Sequence, residues 1–187
     1  MAAVPKYQTL TAEDFAALPR EGLRLELIQG EIFAMPPASG GHGKASMRLG
    51  GLLFQYVMAH DLGEIYAAET GFLVERNPDT VRAPDVAFIC KDRLPPAASD
   101  SYWVLVIPDL VAEVVSSTDR PKDIGEKVAM WLTAGVRMVV VVRPPERLVE
   151  VYRATGNQTL LLRDGDTLTG DDVVPGFAAP VARIFGP

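Results

Sequence analysis

Two short apolar runs, each with one carboxylate, decide the fold of this chain: Pro84-Asp85-Val86-Ala87-Phe88-Ile89 and Leu110-Val111-Ala112-Glu113-Val114-Val115. Short runs rich in valine and isoleucine predict buried β-strands. Side chains on a strand alternate between its two faces, so Asp85 and Glu113 each share a face with the apolar residues two positions away. If the two strands are neighbours in one sheet, we expect these carboxylates to meet on the same face.

Carboxylates at buried strand positions are costly unless a positive group neutralises them. Lys127 is the candidate, because it lies on a predicted amphipathic helix that follows the second strand. At 100° per residue, Lys127 lies about 60° from Ile124 and about 40° from Trp131, at the edge of the apolar stripe. The alternative is a lysine that extends to solvent and pairs with Asp123. Glu113 would likewise be ordinary on an edge strand.

Length and composition indicate one globular domain of 187 residues, with an N-terminal arm over 1–20 and a core over 21–187. The formal charge of −6 and pI near 4.9 speak against a broad basic surface, although local clusters of lysine and arginine stay compatible with it. No apolar run approaches the roughly 20 residues of a membrane helix. One cysteine permits no internal disulfide, so we expect a cytoplasmic protein.

The remaining elements are predicted from periodicity and from turn residues. A helix over 116–134 is expected to start at Ser116–Asp119, and the segment through Phe177 is expected to pack loosely. The other predicted elements are a hairpin over 25–35, a helix over 42–60, strands at 65–67, 71–75 and 138–142, a loop or lid over 91–101, and a hairpin formed by 148–152 and 160–162.

Two carboxylates and a lysine suit the hydrolysis of a phosphodiester with a divalent metal ion. Hard oxygen ligands hold Mg²⁺ at about 2.1 Å, and such an ion polarises phosphate and acidifies water. A lysine can orient or deprotonate that water and screen the developing charge. The sequence has no zinc-ligand spacing, no phosphate-binding glycine loop and no nucleophile elbow. On pattern alone, Glu26 and Glu31 read as solvated hairpin acids and His42 as a residue at a helix start.

An ordered set of landmarks resembles the Uma-two family of restriction endonucleases, within the PD-(D/E)XK nuclease superfamily. The landmarks extend over most of the chain. They are Leu25-Glu26-Leu27-Ile28-Gln29-Gly30-Glu31, His42 after Met35-Pro36-Pro37, Pro84-Asp85-Val86-Ala87-Phe88, Pro108-Asp109-Leu110-Val111-Ala112-Glu113-Val114-Val115-Ser116, Glu126-Lys127 and Pro175-Gly176-Phe177.

This resemblance implies an α/β fold with a restriction-endonuclease-like core, a mixed β-sheet flanked by helices and an N-terminal β-hairpin extension. It also implies a Mg²⁺ (or Mn²⁺) site formed by Asp85, Glu113 and the backbone carbonyl of Val114. The superfamily places a lysine two residues after the glutamate, where this chain has Val115. Lys127 is its natural replacement in the catalytic set of Asp85, Glu113 and Lys127.

The resemblance further marks Glu31 and His42 as additional ligands or substrate contacts. It implies a metal-dependent endonuclease that hydrolyses DNA, and two strands to cut favour a homodimer. A catalytically silent nuclease-fold module for binding or assembly is the alternative, as is a hydrolase of small phosphoesters. A nuclease requires the acids and Lys127 together at a cleft, whereas a silent module tolerates their separation or uses Lys127 only to neutralise Glu113.

Overall fold

A computed structural model of the protein describes residues 9–19, 22–95, 101–155 and 159–186. Residues 1–8 and 20 of the predicted N-terminal arm therefore lie outside the described residues, as do positions 96–100 of the predicted loop. The division into an arm and a core stays a prediction.

A six-stranded mixed sheet forms the centre of the molecule, in the order β10-β9-β8-β7-β6-β3. Only β7 and β8 run parallel, and every other neighbouring pair is antiparallel. The strands of this sheet are β3 (Gly63–Ala67), β6 (Val86–Cys90), β7 (Leu110–Val114), β8 (Met138–Arg143), β9 (Leu148–Arg153) and β10 (Leu160–Leu162).

The predicted hairpin belongs to a second, four-stranded sheet of order β2-β1-β5-β4. Its turn is Gln29-Gly30, and both residues have positive φ, as a two-residue hairpin turn requires. The prediction found the hairpin but missed β5, which has only three residues. The strands are β1 (Arg24–Ile28), β2 (Glu31–Met35), β4 (Phe72–Glu75) and β5 (Thr80–Arg82), and a separate pair is formed by β11 (Thr167–Thr169) and β12 (Ala178–Pro180).

The helices cover the two faces of the central sheet. Alternate strand residues pack on one side against α2 and the C-terminal segment, and on the other side against α3. In the described ranges no helix is long and apolar enough to cross a membrane. The helices are α1 (Ala12–Ala17), α2 (Gly40–Ala59), α3 (Pro121–Thr133) and α4 (Ala182–Phe185).

Two expectations about local structure are wrong. α3 begins at Pro121 rather than at the Ser116–Asp119 signal, because the Asp119 side chain accepts the Ser116 amide and closes a turn there. Proline is favoured at the first helical position, since its missing N–H is not needed there. The C-terminal segment is not loosely packed, because Phe177 and Ile184 are buried in the main core.

Asp109 anchors the start of β7 against the end of β6. Its side chain is 1% exposed, accepts the Cys90 amide at 2.9 Å and pairs with Arg93 at 2.6 Å and with Arg137 at 3.7 Å. The Asp109 amide also donates to the carbonyl of Phe88. A Pro-Asp pair by itself is typical of a turn, whereas these contacts of Asp109 hold the two strands in register.

We predict that Asp109→Ala lowers the free energy of unfolding by about 2–3 kcal/mol. The substitution leaves the buried Cys90 amide without its acceptor and removes the carboxylate that pairs with two arginines. Urea denaturation measures the change. Asp172→Ala is the matched control, since Asp172 also pairs with Arg137 but its side chain is 73% exposed. The control is expected to cost less than about 1 kcal/mol. Equal losses in the two variants would contradict a register-holding role for Asp109.

Candidate active site

The two strand carboxylates lie opposite each other. β6 and β7 are antiparallel neighbours, with Val86 paired to Ala112. Continuing that register by one residue places Asp85, the residue before β6, across from Glu113, and both side chains line one cavity. Both side chains are buried, at 7% and 5% exposure. Two acids so close in a dry environment require positive partners.

Glu113 is neutralised from α3. The Lys127 ammonium donates to one carboxylate oxygen at 3.0 Å, and the Trp131 indole N–H donates to the other at 2.8 Å. Burial raises the pKa of Glu113, and Lys127 opposes that rise only in part. Burial also pulls the pKa of Lys127 down, but the carboxylates of Glu113 and Glu26 outweigh it, so the pKa of Lys127 is raised. Lys127 is therefore a charged donor at neutral pH.

Asp85 has two hydrogen-bond partners and one more distant cation, and none of them comes from α3. One of its oxygens contacts His42 Nε2 at 3.1 Å and accepts the Val114 amide at 2.8 Å, and the Arg24 guanidinium lies 4.0 Å from the other. Burial by itself would raise the pKa of Asp85, but the bonds from His42 and Val114 outweigh it, so the pKa lies below its ordinary 3.8. Asp85 is thus an ionised carboxylate at neutral pH.

Glu26 of β1 is a third buried acid near this pair. It is 5% exposed, accepts the Ala83 amide at 3.1 Å and lies 3.4 Å from Arg82 Nε. Its charge acts on both Lys127 and Glu113. The hairpin sheet therefore contributes an acid to the same electrostatic group as the central sheet.

One cavity of about 180 Å³ joins these residues. Its walls include the three acids together with Arg24, His42, Val114 and Lys127. Within the described parts of the chain, no three His, Cys, Asp or Glu side chains form a ready-made metal cluster.

The structure brings Asp85, Glu113, Lys127, His42 and Val114 together, but not Glu31. Glu31 is exposed at the turn end of the hairpin and lines neither this cavity nor the larger one beside it. The family resemblance marked Glu31, whereas the structure buries Glu26 of β1 instead. The available signal was the pattern Leu25-Glu26-Leu27, an acid between apolar strand residues like Glu113 itself.

Trp131 and Arg24 were also missed as members of the site. Trp131 lies one helical turn after Lys127, and a buried indole N–H needs an acceptor, so its contact with Glu113 had a signal in the sequence. Arg24 had none, because only the packing of the two sheets brings the start of β1 to Asp85.

The fold and the sequence have known relatives. A crystal structure described as "a putative nuclease belonging to DUF820 from Anabaena variabilis ATCC 29413" superposes with a TM-score of 0.81 at 19% identity, covering 94% of this chain and 97% of that one. At that identity the likeness shows the fold, and it confirms the predicted α/β nuclease-like core with a mixed sheet flanked by helices. No curated protein shows significant sequence similarity to the chain.

The family model described as "Putative restriction endonuclease", Uma2, matches residues 12–182. The match covers all of the landmarks from the hairpin to Pro175-Gly176-Phe177, and it confirms the resemblance drawn from them. The chain therefore belongs to the Uma2 family.

Proposed function

We propose that this protein is an endonuclease that hydrolyses phosphodiester bonds of DNA with Mg²⁺ or Mn²⁺. The observation that carries the proposal is the placement of Asp85 opposite Glu113 on one cavity wall, with the Lys127 ammonium 3.0 Å from Glu113. Membership of a family described as restriction endonucleases supports the same reaction class.

The donor set fits a magnesium-type ion. Such an ion takes oxygen ligands, and one or two carboxylates with water and substrate phosphate are its usual partners in nucleic-acid enzymes. Asp85 and Glu113 supply two carboxylates on one wall, and Val114 lies beside them. Burial raises the pKa of Glu113, so its ionised form gains from a nearby cation. Asp85, Glu113 and the carbonyl of Val114 are the proposed ligands.

Hydrolysis forms a bond from a water oxygen to phosphorus and breaks the bond to the leaving oxygen, which takes up a proton. The bound ion would supply polarisation of the phosphate and activation of the water. Lys127 would donate to phosphate oxygens as negative charge develops in the transition state. The ammonium has three N–H groups, and its bond to Glu113 uses one. His42 and the Val114 amide orient Asp85.

The proposal includes assembly and location. A duplex has two strands to cut, which favours a homodimer with one such cavity in each subunit. DNA as substrate and the chain's one cysteine favour a cytoplasmic location.

One observation favours a second candidate, a catalytically silent nuclease-fold module. Both oxygens of Glu113 already accept hydrogen bonds, from Lys127 and from Trp131. In a silent module, Lys127 serves only to neutralise the buried acid. The two candidates differ in whether divalent metal binds and whether DNA is cut.

We predict that the wild-type protein cleaves supercoiled plasmid in Mg²⁺ or Mn²⁺, and that Glu113→Gln and Lys127→Met each lower the rate at least about 10²-fold. Glutamine keeps an oxygen for the Trp131 N–H, and methionine keeps most of the lysine's length, so both changes remove charge with little change in packing. Agarose gels of initial rates, with circular dichroism of each variant, measure the effect.

Glu126→Gln is the matched control for these variants. Glu126 lies on the same helix next to Lys127, but its side chain is 66% exposed and pairs with Lys122. It is expected to leave the cleavage rate unchanged. Equal cleavage by all four proteins would identify a contaminant, and no cleavage together with no metal-induced rise in Tm would favour the silent module.

We predict that Trp131→Phe weakens the apparent metal affinity about 10- to 100-fold, because it removes a donor that orients a ligand carboxylate. The ring of phenylalanine retains much of the apolar packing of the indole. The measurement is the Mg²⁺ concentration that gives half-maximal cleavage, together with the metal-induced shift in Tm. A variant that loses stability yet retains the wild-type metal dependence would contradict an orienting role.

A further inference from the structure

A second and larger cavity, which we call the cleft, adjoins the candidate active site. Its volume is about 860 Å³. The cleft and the acid cavity share wall residues, among them Arg24, His42 and Asp85. A molecule whose phosphate reaches Asp85 and Arg24 therefore has the cleft directly beside it.

The walls of the cleft are mainly apolar. One side is a single face of α2 that carries Met47, Gly51 and Phe54, and the other side is formed by Ile65 and Tyr66 of β3. Met47 is 74% exposed and Phe54 is 52% exposed. Large exposed apolar side chains that line a concave surface mark a binding site more often than a bare solvent surface.

The charges of the cleft do not suit a track for the phosphates of a duplex. Arg24 and His42 are its basic side chains, and Asp85 and Glu69 oppose them. Binding along a nucleic-acid backbone depends on an excess of lysine and arginine, and the whole chain has a net charge of −6. The interior of the cleft therefore favours a flat, uncharged group over a run of phosphates.

The cleft also offers hydrogen-bonding groups. β3 is the outermost strand on its side of the central sheet, and of the described strands only β6 pairs with it. One row of β3 backbone N–H and C=O groups thus has no strand partner. A nucleobase combines a flat apolar face, which stacks on aromatic side chains, with polar edges that pair with such groups.

From these features we infer that the cleft binds an unpaired nucleobase of DNA next to the scissile phosphate. This inference rests on the proposed nuclease function and specifies its substrate: DNA whose base beside the scissile phosphate is unpaired, in a single strand or flipped out of a duplex. The phosphate lies at Arg24 and His42, and the base lies between Phe54 and Met47 of α2 and Ile65 of β3. Regular duplex DNA keeps its bases stacked and cannot fill the cleft.

The first test compares three fluorescent probes by anisotropy in EDTA, so that binding is read without cleavage. The probes are an oligothymidylate of about 12 nucleotides, an abasic strand of the same length and charge, and the matching duplex, since single-strand sites commonly span about 4–16 nucleotides. The oligothymidylate is expected to bind roughly 5- to 150-fold more tightly than the abasic strand, the range for stacking one base. The duplex is expected to bind more weakly than the oligothymidylate.

Variants of α2 locate the base. Gly51→Leu fills the cleft, because a Cβ at Gly51 meets no atom within 4 Å, and replacing a helical glycine stabilises the helix. It is expected to remove the preference for the base. Gly51→Ala is the matched control, with the same helix benefit and only one added methyl, and is expected to retain the preference for the base.

A second pair of variants tests the aromatic wall. Phe54→Ala is expected to lower the preference for the base. Met58→Ala is expected to leave it unchanged, because Met58 lies on the same helix at 48% exposure but outside the cleft.

Three outcomes would overturn the inference. They are equal binding of the base-bearing and abasic strands, full base preference in Gly51→Leu, or a change of oligomeric state in Gly51→Leu by analytical ultracentrifugation, which would assign the cleft to a second copy of this chain. A cleavage assay on both the labelled oligothymidylate and supercoiled plasmid, run in parallel with Mg²⁺ or Mn²⁺, distinguishes the two proposals. Cleavage without base preference would support the nuclease function and contradict only the binding of a base in the cleft. Absence of cleavage would contradict the proposed function itself.

Discussion

The structure depends on the antiparallel pairing of β6 and β7, because that register places Asp85 across from Glu113. Two buried carboxylates this close repel each other and lose hydration, so the surrounding elements must supply positive charge and donors. α3 supplies Lys127 and Trp131, and the start of α2 supplies His42. Asp109 holds the other end of the same strand pair. The two acids therefore require that α2 and α3 each place donors beside them. The pairing of β6 with β7 holds the acids in position within the core sheet.

The site is built where the two larger sheets meet. The central sheet contributes both predicted ligands, and the hairpin sheet adds Glu26 and Arg24. Acids and cations alternate across this junction, from Arg82 through Glu26 and Lys127 to Glu113. Because acids and cations alternate, the free-energy cost of burying this group of charges is lower, and Lys127 stays protonated. In the proposed site, Lys127 on a helix takes the place of the lysine that the superfamily has on the strand, and its ammonium contacts Glu113.

The acid cavity and the adjoining cleft differ in the chemistry of their walls. Polar and charged side chains crowd the small cavity that contains the acids, whereas apolar side chains line the larger cleft. Arg24, His42 and Asp85 belong to both walls. A chain with a net charge of −6 has little general attraction for a polyanion. Contacts to an apolar base would supply binding energy that phosphate contacts alone do not provide.

The sequence by itself determined the local pattern: the apolar strands with one acid each, the hairpin around Gln29-Gly30, the face of α3 that carries Lys127, and the family. These follow from the periodicity of side chains along a strand or helix, which nearby residues specify. Glu26 and Trp131 had signals in the sequence that the prediction did not use, and only the tertiary structure decided that Arg24 joins the site and that the cleft opens beside it. Those outcomes depend on how separate elements pack, and contacts between residues far apart in the chain leave no period in the sequence. Arg24 shows the difference, since nothing in its sequence neighbourhood points to the site and only the packing of the two sheets brings its guanidinium to 4.0 Å from Asp85.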